Sequence, residues 1–521
     1  MNLFWMRTLK ANESADWYSK GYPIEQWNLQ DVIYRDADYA FDGDWLREAV
    51  SSTNTELKYP LQYNPYRVPV GLHVSFLYGE VPDGADARVT FEVEVWENGV
   101  KKTTGEATSA AAKMTTFLNS VWHQNHSFSL QSQLALNAQI YGGAVLSAYY
   151  DPERAIDGDY PISLSAVDVP SFLPVWSSRS VDELIEVIVA YGVTKLQAED
   201  LGVTPEKDVA LYMENWRKDK YEITIDDKVV KMYDVPCEGI PIGNMIPYVY
   251  IPHPPRRGFY GTSLLHDMLG MGREINKQMA DVGDMITDDA TNLNAMRNVR
   301  NIEVKRISGV KSMLDIGSQQ GDRIPDILWA PTKSSSTTSA SANVDKLVKD
   351  LRMEMYCPDV IFGGGDSSQR STSSFAFMAI PLIAHIRDER AAFTSSLGEM
   401  NHKILKMAAA KGIGKIDASM ANNARVKCNW YPMLPRDVME EITSIIARVQ
   451  SKILSRETAI TMIGDILDVT GELDKIKKTE SELEARNNPS LGATSGQLAG
   501  IAAAKTAEPN TEGENTNDGS N

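Results

Sequence analysis

The most regular hydrophobic pattern in the chain lies between Leu264 and Ile286. Leu264, Met268, Met271, Ile275, Met279, Val282 and Ile286 recur at spacings of 4, 3, 4, 4, 3 and 4. This is one apolar stripe with a 3.6-residue period, and it predicts an amphipathic helix over 261–290. Thr262 or Ser263 supplies the N-cap oxygen. Gly270, Gly272 and Gly283 weaken the prediction, because glycine costs a helix about 1 kcal/mol against alanine. The unbroken stripe outweighs them. A shorter helix follows, with Val344, Leu347, Val348, Leu351 and Met355 on one face. A long one runs from about Phe375 to Ala410 with Pro381 inside it. Proline removes a backbone hydrogen bond and clashes with the preceding turn, so a kink is predicted there.

The rest of the pattern is mixed. Val74–Tyr78 and the alternating Val89–Val95 read as strands joined by the turn Pro82-Asp83-Gly84. Ala111 to Ile140 reads as helix, ended by Gly142-Gly143. Ala144–Tyr150, Tyr248–Ile251 and Ala424–Trp430 read as strands. Residues 1–60 suggest short helices and loops. Between 291 and 342 the chain is strand-like and loop-like, with alternation at Asn301–Lys305 and a Ser/Thr/Ala linker from Lys333 to Ala342. Phe362–Ser374 is a Gly/Ser loop. Two or three helices run on to Arg486, and the polar, small-residue tail is expected to be disordered. The fold class is α+β.

Composition narrows the function. At 521 residues the chain is long enough for three or four structural units. Its net charge of −18 excludes a generic basic nucleic-acid coat, which would bind by neutralising phosphates. The stretch 291–342 reverses that sign. Seven basic residues, including Arg297, Arg300, Lys305, Arg306 and Lys311, face four acidic ones, a net +3. Cys237, Cys357 and Cys428 form no CxxC pair, which points to a reducing compartment without a disulfide framework. No apolar run reaches the roughly 18–20 residues of a membrane span, and no signal peptide is expected at the N-terminus.

Catalytic chemistry is not legible. Gly412-Ile413-Gly414-Lys415 lacks the spacing and hydroxyl of a phosphate loop. His123 and His126 could share a helix face, but only His73 precedes them as a third metal ligand. Asp288-Asp289 has no spaced partner for a two-metal site. The seven histidines are scattered along the chain. No cofactor, metal site or enzymatic constellation is expected.

The order of elements, and several strings within it, resemble the portal (head-to-tail connector) proteins of tailed double-stranded DNA bacteriophages of the siphophage type. The strings are Asn64–Val70 with Phe76–Gly79, Ile140–Leu146 with Tyr149–Asp151, and Ile251-Pro252 with Phe259–Leu265 and Glu274–Asp281. Leu434–Asp437 with Ile453–Ala459 completes the set, and the resemblance spans about 45–485.

It implies a ring, usually of twelve subunits, at one capsid vertex. Its parts would be a wing (1–245), a stem helix with its lead-in (246–290), a clip (291–342), a second stem helix (343–360), a tunnel loop (361–374), the kinked helix returning to the wing (375–432), a crown (433–485) and the tail (486–521). Double-stranded DNA would pass through the ring during packaging and ejection. The implied partners are the large terminase subunit, the major capsid and scaffolding proteins and a head-completion adaptor, with no membrane. The implied location is the virion, and the host cytoplasm during assembly.

Within that frame the helix stripe would pack between copies, the alternative being an ordinary hairpin within one chain. Arg370 in the loop and Lys346, Lys349 and Arg352 on the short helix would touch DNA, with Gly363, Gly364 and Gly365 giving the loop freedom. The clip cations would dock partners, the alternative being a solvated basic face. A packaging-associated nuclease or ATPase, or another ring-forming neck protein, is the competing reading.

Overall fold

The computed structural model describes residues 63–102, 105–180, 182–234, 245–290, 294–297, 314–315, 326–329, 334–362, 377–433, 438–455, 458–459 and 476–479, without 83, 227 and 257, together with 23, 27, 30, 32–34 and 36–37. The chain divides into two units, Met1–Pro435 and Arg436–Asn521.

The first helix with described bounds, α1, is Arg67–Tyr78, where the β-rich run Val74–Tyr78 predicts a strand. Val70, His73 and Leu77 recur at helical spacing on its buried face, and that burial overrides local strand propensity. Arg390 closes its C-terminus, donating from Nε to the Leu77 carbonyl at 2.7 Å and from Nη2 to that of Phe76 at 3.3 Å. Strand β1, Val89–Glu97, alternates buried and exposed positions as its sequence predicts, and pairs with the short β2, Val100–Lys101.

The expected single helix over 111–140 is two, α2 (Glu106–Gln124) and α3 (Ser127–Tyr141). The chain breaks at Asn125 and His126, the latter in a left-handed conformation with φ 53°. Asn125 makes the break useful. Its Nδ2 donates to the carbonyls of Val121 and Ile162, and its Oδ1 accepts from the Leu164 N–H.

Side chains from these two helices satisfy the free edge of β1. Asn119 bonds both backbone groups of Phe91, Gln131 bonds both of Val89, and Thr115 Oγ1 accepts from Val93. Strands β3 (Gly143–Tyr150) and β4 (Ile162–Val167) follow. Next come β5 (Phe172–Trp176), β6 (Leu184–Thr194), the one-turn helix α4 (Lys195–Asp200), β7 (Val209–Arg217), β8 (Lys220–Ile225) and β9 (Lys228–Asp234). The strands β5 to β9 form an antiparallel meander in sequence order. β10, Tyr248–Pro252, returns to pair with β3, giving the order β10-β3-β4.

α5, Leu269–Ala290, starts later than the stripe predicts, because Leu264–Met268 form turns first. β11 (Asn294–Arg297), β12 (Leu314–Asp315) and β13 (Asp326–Trp329) make a small sheet in the region read as strand-like. The expected strand at 301–305 lies outside the described residues.

α6, Ser334–Glu354, corrects the linker predicted over 333–342. That run is low in complexity but holds no glycine or proline, so nothing stops the helix from extending toward its N-terminus.

α7, Ile380–Lys411, is 32 residues long, and Pro381 lies in its first turn instead of inside it. The helical residues 377 and 378 are separated from it at Ala379. A proline there removes an N–H that would have had no helical partner anyway, so it starts the helix and does not kink it. After α8 (Ala418–Asn422), strand β14 (Ala424–Trp430) pairs antiparallel with β1 along Val89–Val95. The main core therefore joins residues 77–251 to α7 and β14. In the second unit, α9 spans Val438–Gln450. The 486–521 tail lies outside the described residues.

Candidate functional site

The long helix α5 and its neighbour α6 pack against one another and seat on the core through one apolar cluster. Leu264, Leu265, Ile275, Leu351 and Met355 are its buried members around these helices, with Met268, Met271, Met279, Leu347 and Val348 partly buried against them. The end of α6 meets the start of α5, while Asn343, midway along α6, donates to Gln278, midway along α5, at 2.7 Å. The two helices therefore run antiparallel. The stripe is thus an intrachain hairpin over its first two thirds. Beyond it, Val282 is half-buried and Ile286 is 54% exposed, as is Met285 at 40%.

Two contacts fix the seat of α5. Tyr66, fully buried, brings the hydroxyl end of its ring against the helix at Gly272 and donates from that hydroxyl to the Met268 carbonyl at 2.9 Å. A Cβ at Gly272 would stand 1.9 Å from that hydroxyl oxygen, so only glycine fits. One turn on, Asn276 bonds the backbone of Tyr63 both ways, accepting at 3.0 Å and donating at 2.7 Å.

The lead-in to α5 crosses the end of α3 at close backbone distance. Gly142, in the left-handed region at φ 77°, accepts from the His253 N–H at 3.0 Å, and the Leu264 N–H donates to Gln139 at 3.0 Å. The strings around Ile140–Leu146 and Phe259–Leu265, more than a hundred residues apart, thus meet in one joint.

Beside this joint lies a cluster that no periodicity signals. His73 of α1, His253 after β10, and His385 and Glu389 of α7 are all at least nine-tenths buried. His253 and His385 approach at 3.4 Å between their Nε2 atoms, and the His73 and His385 rings meet edge to face at 5.4 Å. Burial pushes His73 and His253 down to about 3 and His385 to about 4, and it pushes the Glu389 carboxyl up to about 8. At neutral pH the imidazoles are uncharged. His385 and Glu389 are four residues apart in the sequence, a spacing that shares a helix face, but His73 and His253 join them only through the fold. Among the described residues His73, His385 and Glu389 are the one set of three candidate metal ligands, and His123 with His126 belongs to none. His123 ends α2, exposed, whereas His126 caps α3, so they do not share a face.

The predicted DNA-contacting cations on α6 separate. Lys346 is exposed and makes no ion pair among the described residues. Lys349 lies 3.7 Å from Asp359, and Arg352 is half-buried, 4.0 Å from Asp359 with its guanidinium over the Phe362 ring. Arg370 and Gly363 to Gly365 lie outside the described residues, as do Arg300, Lys305, Arg306 and Lys311. Arg297 is the last residue of β11.

Residues 275–485, beginning inside α5, match the family model described as phage portal protein, SPP1 Gp6-like. Over these residues, about two fifths of the chain, it is similar to the siphophage portal proteins. No curated protein matches it. Portal proteins are structural head-to-tail connectors of DNA packaging. No helix among the described residues is long and apolar enough to cross a membrane.

Proposed function

We propose that this chain is the subunit of a closed ring at one capsid vertex, a conduit for DNA packaging and ejection without enzymatic activity of its own. The observation that carries this is the match over 275–485 together with the apolar stripe of α5, whose far end leaves Met285 and Ile286 exposed on the single chain. A neighbouring copy would cover them, and a head-to-tail contact that closes gives a cyclic ring, here expected to hold twelve subunits. Native mass spectrometry or negative-stain microscopy of the purified protein tests it. A monodisperse monomer at micromolar concentration, across salt conditions, overturns it.

In this reading residues 1–245 with 375–432 form the wing, α5 and α6 the stem, and the small sheet of β11 to β13 the core of the clip. The clip cations Arg297, Arg300, Lys305, Arg306 and Lys311 dock the large terminase subunit and later a head-completion adaptor. Lys305→Glu with Arg306→Glu should leave rings intact and weaken both partners. Lys346, the cation without an ion pair among the described residues, and Arg370 face the DNA, with Lys349 and Arg352 held partly by Asp359. A mostly acidic wall with a few cations lets a polyanion slide without being gripped. Major capsid and scaffolding proteins surround the ring during assembly in the host cytoplasm, and the mature ring stays in the virion.

A further inference from the structure

We propose that His73, His385 and Glu389 bind one divalent transition-metal ion of the zinc class, clamping α1 to α7 beside the stem joint. The site stands apart from the portal reading and does not depend on it. One ligand atom from each of the three residues lies within 4.8 Å of the others. Tetrahedral zinc with bonds of about 2.0–2.1 Å needs its ligand atoms roughly 3.3 Å apart, so small side-chain rotations close the set. His385 and Glu389 present their groups from one face of α7, and His73 faces them from α1.

The hydrogen bonds around these residues are those a metal site requires. A carbonyl can only accept, so the 2.7 Å contact of His73 Nε2 with the Met355 carbonyl puts the proton on Nε2. That leaves a lone pair on Nδ1, which is buried and has no hydrogen-bond partner. By the same rule His253 Nδ1, 2.7 Å from the Thr262 carbonyl, carries its ring proton and donates it to that oxygen, leaving His253 Nε2 as an acceptor. His385 Nε2, 3.4 Å away, is its donor, which fixes a lone pair on His385 Nδ1. Gln139 donates to Glu389 Oε1 at 2.7 Å, and Glu389 Oε2 is buried without a partner. Each of the three ligands is therefore oriented by an outer partner, while two ligand atoms stay open. Buried polar atoms are rarely left so. Two neutral imidazoles and a carboxylate suit a borderline dication, which would replace the carboxyl proton. Tyr356 stacks on the His385 ring at 4.3 Å and is 39% exposed, so its movement gives the ion a way in.

The test uses the full chain without a histidine tag, stripped with a chelator. It is titrated with Zn²⁺ against a chromophoric competitor, and separately with Co²⁺. The expected result is one equivalent per subunit, visible Co²⁺ bands of a four- or five-coordinate site, and a higher melting temperature with Zn²⁺. Glu389→Gln, close in shape to the protonated acid, should melt as wild type in chelator and lose the equivalent. Gln139→Ala should weaken binding by about 10- to 100-fold, as expected for an outer-shell partner. His123→Ala, on the exposed end of α2, should change nothing. If Glu389→Gln fails to fold, the wild-type Co²⁺ spectrum and the Gln139→Ala affinity decide. Absence of stoichiometric uptake by stripped wild type, or an equivalent that survives in folded Glu389→Gln, overturns the site.

Discussion

Replacing Gly272 by alanine should destabilise the protein, against the usual direction for an exposed-helix glycine. The new Cβ would stand 1.9 Å from the Tyr66 hydroxyl oxygen, 2.5 Å from Cζ and 3.0 Å from Cε2. Carbon contacts settle near about 3.5–4.0 Å, so helix and ring must part by more than an ångström. Tyr66 is fully buried and cannot swing aside into solvent. Overpacking of this kind costs about 1–3 kcal/mol, and losing the hydroxyl bond to Met268 adds about 0.5–1.5 kcal/mol. Better helix propensity returns about 1 kcal/mol. The net expectation is a loss of about 0.5–3.5 kcal/mol. Gly283 in the same helix is the control, since a Cβ there meets nothing within 4 Å. Gly283→Ala should gain about 0.5–1 kcal/mol. Urea unfolding followed by circular dichroism, at matched assembly state, reads both. Tyr66→Phe in the Gly272→Ala background removes the nearest atom and should restore part of the loss. If Gly272→Ala unfolds at the same urea concentration as Gly283→Ala or higher, Tyr66 does not seat the helix as described.

Three further outcomes are expected. Ile286→Lys should leave the subunit folded and shift native mass spectra from rings toward smaller species, because it places a charge on the exposed end of the stripe. Asn401→Ala removes the acceptor that Trp122 Nε1 reaches at 2.7 Å, and orphaning that buried N–H should cost about 1–3 kcal/mol in thermal or urea unfolding. Arg370→Glu should reduce the amount of full-length DNA retained in a packaging assay while rings remain intact by microscopy; normal retention would remove the loop from DNA handling.

What could be read from the chain alone depended on whether one local period decided the outcome. β1 alternates because one of its faces is core, and α5 announces itself through its stripe. Val74–Tyr78 looks like a strand because its residues favour one, yet the position of His73 and Leu77 against the core makes it helix. Pro381 was legible as a break, but not as a beginning, since that depends on where the preceding segment stops. Gly272 looks like a weakness in a helix until Tyr66, some two hundred residues earlier, is laid on it. The histidine and glutamate cluster was the least legible. Its four members come from three distant parts of the chain, and only the pair His385 and Glu389 has a spacing that sequence can express.

The edge of β1 has a meaning for any assembly that crowds identical copies together. An unpaired strand edge is a template on which a second copy can register its own strand and propagate without end. Here two amides and a hydroxyl from Asn119, Gln131 and Thr115 occupy the backbone groups of residues 89 to 93, imitating a neighbouring strand that carries no further edge. This edge of the sheet is finished from within its own subunit. Copies held side by side cannot then join at this edge through backbone pairing, which cannot count, and are left there with side-chain surfaces, whose geometry can specify a fixed number.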